Sequence, residues 1–546
     1  VSAGAHRAPR GERSYLAQFF TPVVVADFMW QLARELGFGR DSGTLRVIDP
    51  SAGDGVLLRS GLEGGFATSE QIFGVEIDPE LRPHAQGARI YHGDGLRGEF
   101  QGVNPDSFDL VIGNPPFGRA SAVLPPVELA KLEAQQIRGG EFGIVRAKQA
   151  RARSRARRPQ AGGLDLFAAD TDGRWLGQRS ISLESAAMEQ LFLERALQLA
   201  KPGGLVLFVM PDGFLANLRA QAARDWVLES ATVVAVVALP DQVFQQRRLR
   251  ATTGILALRK KGGAADDQVM LVGGRGRAPQ DLPEYFAQLL EEVTQGLKEV
   301  NRAAARPRRS GGICFSMPAK RLLGSRWDVE FWRGMRSLSR RCRRFPLARL
   351  GDFIQHLTYG PIITGSRPQH LPGGVRVIRQ GDFTETGLTR EAILRVSPGS
   401  IHDPARSRVA SGDLLLPRSG AGAIGRNRMA VYLETEAANV GCFVDLIRLT
   451  DLNPFFAWFF FRSLPGWDQI RSVINGVGTP NINFSEIRGL RIPTPPMEAQ
   501  EAIERRYMKE VLPLHISSLL EGKAAGVEVE RRFRQIAADL ELFLSG

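Results

Sequence analysis

Phe108-Asp109-Leu110-Val111-Ile112-Gly113-Asn114-Pro115-Pro116-Phe117 is the stretch on which the reading of the N-terminal half turns. Its first six residues form a short apolar run that closes on a turn, the pattern of a buried strand. The tetrapeptide Asn114-Pro115-Pro116-Phe117 stands at that strand's exit, where catalytic loops are commonly placed. Two consecutive prolines fix φ and present carbonyls without N–H groups, so the turn is rigid and rich in acceptors. An aromatic ring then follows, suited to stacking on a flat ligand.

Outward from this stretch, residues 14–261 alternate helix-like and strand-like segments. Helices are expected over 26–37 and 190–200, the second halted by Pro202-Gly203-Gly204, and strands over 45–48, 72–75, 110–112, 205–210, 233–239 and 254–258. This alternation predicts an α/β domain built on a mostly parallel sheet covered on both faces.

Upstream, Val47-Ile48-Asp49-Pro50-Ser51-Ala52-Gly53-Asp54-Gly55 reads as a strand, a Gly-rich turn and a helix start. Leu58 occupies the place where a dinucleotide fingerprint has its third glycine, which disfavours that cofactor. Gly74-Val75-Glu76-Ile77-Asp78-Pro79 closes the next strand about twenty residues on, where an acidic side chain can accept both ribose hydroxyls. A nucleoside-bearing cofactor is implied. In Tyr91-His92-Gly93-Asp94-Gly95, Asp94 reads either as an acceptor for an adenine amino group or as a turn residue, and His92 as a surface turn residue.

The chain has 546 residues, enough for two to four domains. Lys and Arg outnumber Asp and Glu by 71 to 58, a net +13 that suits a polyanionic partner. The three cysteines, Cys314, Cys342 and Cys442, lie far apart, which argues against a disulfide framework or a zinc site and fits a reducing cytoplasm; no metal is expected. The richest apolar run, 455–461, falls far short of the roughly 20 residues of a membrane helix, so no membrane partner is expected. Residues 1–13 read as a disordered basic tail, and the Val start leaves an upstream domain open. A basic insert at about 119–181 reads equally as a solvated segment or as one that orders on a phosphate backbone. Residues 262–344 are expected as a connector with one helix, 345–496 as a second, α+β domain, and 497–546 as a long helix. Apolar positions Tyr507, Val511, Leu512, Leu519 and Leu520 on that helix pack on their own domain or on a second helix.

The order Gln18-Phe19-Phe20-Thr21-Pro22, Asp49 to Gly55, Gly74 to Pro79, Asp94, then Asn114 to Phe117 resembles the gamma-class N6-adenine DNA methyltransferases over residues 14–261. The resemblance implies a Rossmann-like fold that uses S-adenosylmethionine. Asp49, Ala52, Gly53 and Gly55 would line the methionine part, with Thr21 near its carboxylate; Glu76 would hold the ribose, Ile77 the ring and Asp94 the adenine amino group, with Asn114 completing the set. Gly95 departs from relatives that carry an apolar or aromatic residue there. The Asn114 side-chain oxygen and the Pro115 carbonyl would each accept a hydrogen of a flipped adenine's amino group while Phe117 stacks on the base. Gln242-Val243-Phe244-Gln245-Gln246-Arg247-Arg248 resembles a second base-holding loop, with Phe244 on the other face and Arg247 on a phosphate; Phe192 resembles the aromatic position that shapes the pocket. For Phe244 and Phe192, core packing stays open as the plain alternative.

Leu350-Gly351-Asp352-Phe353-Ile354, Val377-Ile378-Arg379-Gln380-Gly381-Asp382, Ser411-Gly412-Asp413-Leu414-Leu415 and Pro493-Thr494-Pro495-Pro496-Met497-Glu498-Ala499-Gln500 resemble, in this order, one target recognition domain of the Type I specificity-subunit kind with its spacer helix. Tyr359, Arg379, Gln380, Arg418 and Arg426 are candidate DNA contacts, each open to a plainer role as a surface charge or phosphate contact. The resemblance implies a site-specific adenine-N6 methyltransferase acting on double-stranded DNA in a restriction-modification or phage-defence system, cytoplasmic and nucleoid-associated. A homodimer through the terminal helix and a separate restriction subunit are its implied partners. The alternatives are the modification and specificity part of a Type IIG restriction enzyme, or a DNA-binding subunit inactive without a partner.

Overall fold

Nine strands form one sheet in the N-terminal unit: β1 (Val47–Asp49), β2 (Ile72–Glu76), β3 (Arg89–His92), β4 (Phe108–Gly113), β5 (Ala200–Pro211), β6 (Ala231–Ala238), β7 (Thr253–Lys260), β8 (Gln268–Val272) and β9 (Cys314–Pro318). The computed structural model describes residues 20–39, 45–81, 83–124, 127–131, 142–156, 186–240, 243–244, 252–262, 267–273, 281–301, 314–361, 371–389, 393–420, 422–474, 481–521 and 523–546. The strand order is β3-β2-β1-β4-β5-β7-β6-β8-β9, with β7 and β9 running against the other seven. β1 and β2 are buried along their whole length, as strands covered on both faces must be. Helices Val23–Glu35, Val56–Glu63 and Leu282–Asn301 share one apolar core with Leu110, Ile112, Leu205 and Leu207, while helix Met188–Leu199 packs on β4 and β5.

Between β1 and β4 the strand order reverses direction. Such a switch point leaves a crevice at the carboxyl ends of the two strands, where ligands of open α/β sheets bind. The register pairs Val47 with Leu110 and Ile48 with Val111, so the turn after Asp49 and the turn after Gly113 emerge side by side.

Two expectations are corrected. Residues 262–344 hold the one helix expected there, at Leu282–Asn301, but are more than a connector, because β8 and β9 extend the sheet. The edge strand β3 was not anticipated as a strand; its residues are half-buried or exposed, so it lacks a continuous apolar run.

The second unit, beginning at Phe331, is α+β. One four-stranded sheet is ordered Ile354–Tyr359, Val444–Leu449, Leu414–Pro417, Ala430–Val431; another is ordered Leu394–Val396, Val375–Ile378, Ala438–Val440, Arg408–Val409. Its core is organised by helix Pro454–Arg462, in which every residue from Phe455 to Phe461 is buried. Asn453 caps that helix, its side-chain oxygen accepting from Phe455 N at 2.9 Å and Phe456 N at 3.1 Å, with proline at the first helical position. In place of the single long helix expected at the C-terminus stand a helical run over 497–521, with a π turn at Tyr507–Val511, and the helix Lys523–Ser545. Tyr507, Val511, Phe533 and Ile536 are buried against the aromatic helix, and Phe459 stacks on Phe533 with ring centroids 4.3 Å apart. Tyr507, Val511 and Leu512 of the apolar stripe therefore pack within their own unit, while the side chains of Leu519 and Leu520 lie outside the described residues.

Truncating Phe459 to alanine removes a fully buried stacked ring and should lower the unfolding free energy by about 3–5 kcal/mol. Asn453→Ala should cost about 1 kcal/mol through the lost cap. Equilibrium denaturation that ranked the two in the opposite order would contradict this packing.

Candidate active site

The turn after β1 and the acidic end of β2 are tied together by backbone donors. Gly53 N donates to Glu76 Oε2 at 2.6 Å and Asp78 N to Oε1 at 2.9 Å, while Ala52 N donates to Val75 O at 2.9 Å. A carboxylate oxygen accepts more than one hydrogen bond, so Glu76 keeps acceptor capacity toward the crevice. Burial raises the Glu76 carboxyl above its usual range. Asp49 lies deeper, only 1 % exposed, with Oδ1 accepting from Ser51 N at 2.9 Å. Burial, with the Glu76 charge a lesser cause, pushes its carboxyl up to about 7.

Asp94 follows β3. Its Oδ1 accepts from Leu96 N at 2.8 Å and its Oδ2 pairs with Arg97, which also reaches Glu128. Gly95 packs so tightly that a Cβ there would lie 1.8 Å from Pro50 O and 3.4 Å from Phe192 Cε1. No larger residue fits. Phe192, from helix Met188–Leu199, lines the cavity beside Gly95.

These groups line one cavity of about 660 Å³ including its open mouth, within the usual range for small-molecule sites. Phe20, Glu76, Ile77, Asp94, Asn114 and Phe192 all face it. A smaller lobe of about 260 Å³ is lined by Thr21, Asp49, Ala52, Gly53 and Asn114. Asn114 faces both lobes, and its Nδ2 donates to Thr21 Oγ1 at 3.1 Å. That bond fixes the amide plane and directs its oxygen away from Thr21.

The remaining expected residues are placed unevenly. Phe117 is half-buried and packs against the apolar core, and Phe244 is buried at 4 % exposure within that same core. Neither lines the cavity. Phe192, expected beside the target base or in the core, lines the cavity together with Glu76, Asp94, Asn114 and Pro116. Arg247 lies outside the described residues. In the second unit Arg379 is exposed and pairs with Asp382 at 3.0 Å, and Arg426 is exposed. Arg418 corrects the expectation of a DNA contact. It is 3 % exposed, donates from Nε to Asp445 Oδ1 at 2.9 Å and lies over the Tyr359 ring at 4.3 Å, so its charge is consumed inside the unit. Sequence reading missed Glu189, a buried carboxylate that accepts from Gly118 N. Its only signal was an acid on the apolar face of helix Met188–Leu199.

Residues 169–300 match the N-6 DNA Methylase family. Over that span the chain is similar to the N-6 DNA methylases. The matched span begins after the Asn114 turn and covers β5 to β8. A Type II methyltransferase of Thermus thermophilus is 27 % identical over 263 residues, 46 % of this chain and 47 % of that protein. The chain thus spans about half the length of this curated relative. Among solved structures, the type IIG restriction endonuclease BpuSI aligns with a TM-score of 0.46 at 13 % identity, over 97 % of this chain and 66 % of that one. A type I restriction-modification methyltransferase subunit from Streptococcus thermophilus aligns with a TM-score of 0.34 at 17 % identity, over 52 % and 58 % of the two chains.

Asp49 gives this site a pH signature. Its folded-state pKa of about 7 lies above the ordinary 3.8, so the fold holds a proton that the unfolded chain releases. Stability from this group is fully present below the unfolded value and is lost as pH rises through about 7. Between pH 5 and pH 7 the loss should be on the order of 2–3 kcal/mol in the wild type and clearly smaller in Asp49→Asn. Parallel denaturation curves for the two proteins across that range would contradict the burial of Asp49.

Proposed function

We propose that this chain transfers a methyl group from S-adenosylmethionine to the exocyclic N6 of an adenine in duplex DNA. The observation that carries the reading is Asn114, held by Thr21 at the sheet's switch point and facing the cavity that Glu76 and Asp94 line. The match of residues 169–300 to the N-6 DNA methylases supports it.

The residues fit the cofactor. Glu76 offers acceptors where ribose hydroxyls are needed, Asp94 offers one where an adenine amino group is needed, and Ile77 and Phe192 supply apolar surface for a ring. Asp49 lies beneath the smaller lobe, placed to meet a cationic amine. Bound S-adenosylmethionine supplies an electrophilic methyl on a sulfonium. The chain's task is to make a poor nucleophile competent. The lone pair of an adenine amino nitrogen is delocalised into the purine, and hydrogen bonds from its two hydrogens favour a pyramidal nitrogen. Asn114 Oδ1 and the Pro115 carbonyl are the acceptors for those hydrogens, and they stabilise the positive charge that develops on the group as the bond to carbon forms. Both are fixed before the substrate arrives, Asn114 by Thr21 and Pro115 by the double-proline turn. A base in a duplex must leave the stack to reach such acceptors, and Phe117 is the aromatic group that follows them. Exposed basic groups of the second unit, Arg379 and Arg426 among them, are the proposed backbone and base contacts.

With tritiated cofactor and plasmid DNA, Asn114→Ala should lower transfer by at least about 1,000-fold while DNA affinity changes by less than about 3-fold. Equal loss of transfer and DNA binding would make Asn114 a structural residue. Phe192→Ala should raise the KM for S-adenosylmethionine about 10-fold or more, with little change in the fluorescence rise of 2-aminopurine at the target position. A lost fluorescence rise at unchanged cofactor KM would return Phe192 to the target base.

A further inference from the structure

The turn that carries Asn114 leaves the sheet at Gly113 and is caught again at Gly118. Gly118 has φ +119°, a conformation that other residues adopt only with strain. Its carbonyl accepts from Met188 N at 2.8 Å, and Ala120 N donates to Ala186 O at 2.8 Å, with a bridge between Arg119 and Ala187. The remaining polar group of Gly118 is its N–H, which donates to Glu189 Oε2 at 3.2 Å.

Glu189 is 6 % exposed and has no part in the chemistry described above. Burying a carboxylate costs several kcal/mol unless a cation and donors answer it. Here burial raises its pKa, and the cation in electrostatic range is Lys148, whose own pKa burial lowers. Lys148 belongs to helix Gly143–Ala156, part of the basic insert between β4 and β5. That helix is fixed at its first turn by Glu194, whose carboxylate accepts from Gly143 N at 2.8 Å and Ile144 N at 3.1 Å. Glu189 and Glu194 lie on one helix, so the element that presents Glu189 to the catalytic turn also sets the position of Lys148.

We infer that Glu189 is a positioning residue for the amine-activating turn: it anchors Gly118 N from behind, on the helix whose Glu194 also ties down the insert's helix at Gly143 and Ile144. The inference rests on the methyl-transfer reading of Asn114. Loss of the acceptor leaves a buried N–H unanswered next to the turn, and a shift of about 1 Å in reacting groups costs on the order of 100-fold in rate. The insert then acts as a brace on the catalytic turn in addition to any contact with phosphates.

Glu189→Ala, Glu189→Gln and Lys148→Met in the full chain test this, with kcat, KM for DNA, thermal midpoint and hydrogen exchange of the amides of Asn114, Phe117, Gly118 and Arg119 as readouts. Glu189→Ala should lower kcat about 10- to 100-fold with KM for DNA within about 3-fold, and should speed exchange at Phe117, Gly118 and Arg119 but not along β4. Glu189→Gln, which keeps the acceptor, should restore kcat to within about 5-fold of wild type, and Lys148→Met should fall between. An unchanged kcat and unchanged exchange in Glu189→Ala would overturn the inference. So would equal losses of kcat and thermal midpoint in the Ala and Gln variants, the mark of a merely structural residue. If the wild type transfers no methyl group, the reading of Asn114 fails by itself. The exchange pattern then decides the anchoring of Gly118 alone: faster exchange in the Ala but not the Gln variant upholds it, and identical exchange refutes it.

Discussion

Everything at the site depends on the parallel pairing of β1 with β4 across the reversal in strand order. A sheet that turns its connections to opposite sides at this pair cannot close the space above the two strand ends. The turn from Asp49 and the turn from Asn114 therefore stand beside one another, one suited to cradling a nucleoside-bearing ligand and the other to accepting hydrogens from an amine. β2 and β3 then extend the same edge and bring Glu76 and Asp94 to the same level. One topological fact thus delivers four segments that are distant in the chain to a single cavity.

The cavity is held by polar contacts in which carboxylates answer backbone donors. Glu76 receives Gly53 and Asp78, Asp49 receives Ser51, Asp94 receives Leu96, and Glu189 receives Gly118. Each fixes a turn that has no other regular structure. Burial raises the pKa of Asp49, Glu76 and Glu189, so the fold keeps three acids in an environment that resists their charge. Such groups are expensive for stability alone and cluster where a ligand or a reaction needs them. The second unit uses its buried charges differently. Arg418 pairs with Asp445 against aromatic rings inside the unit, and exposed charges fall to residues such as Arg379 and Arg426.

Much of this was legible in the sequence because it is local. The strands leading to Asp49, Glu76 and Asn114 are short continuous apolar runs, and the turns after them carry the glycines, prolines and acids that their geometry demands. What escaped is what depends on distant partners. β3 is a half-exposed edge strand with no apolar run, and β8 and β9 join the sheet only through long-range pairing. Arg418 reads as a surface charge until Asp445 and Tyr359 enclose it. Phe192 reads equally as a pocket-shaping ring or as core, and its place beside Gly95 shows only in the fold. Glu189 is silent in the sequence, since its partner is a backbone N–H some seventy residues earlier.

The central claim is chemical: the Asn114 turn activates an aromatic amine, and that amine belongs to adenine. Cytosine carries a comparable amino group, so mass spectrometry of nucleosides from DNA treated with the purified chain and S-adenosylmethionine tests the claim most directly. The account predicts N6-methyldeoxyadenosine as the methylated product, absent with Asn114→Ala. N4-methylcytosine, 5-methylcytosine or no modified nucleoside would contradict it.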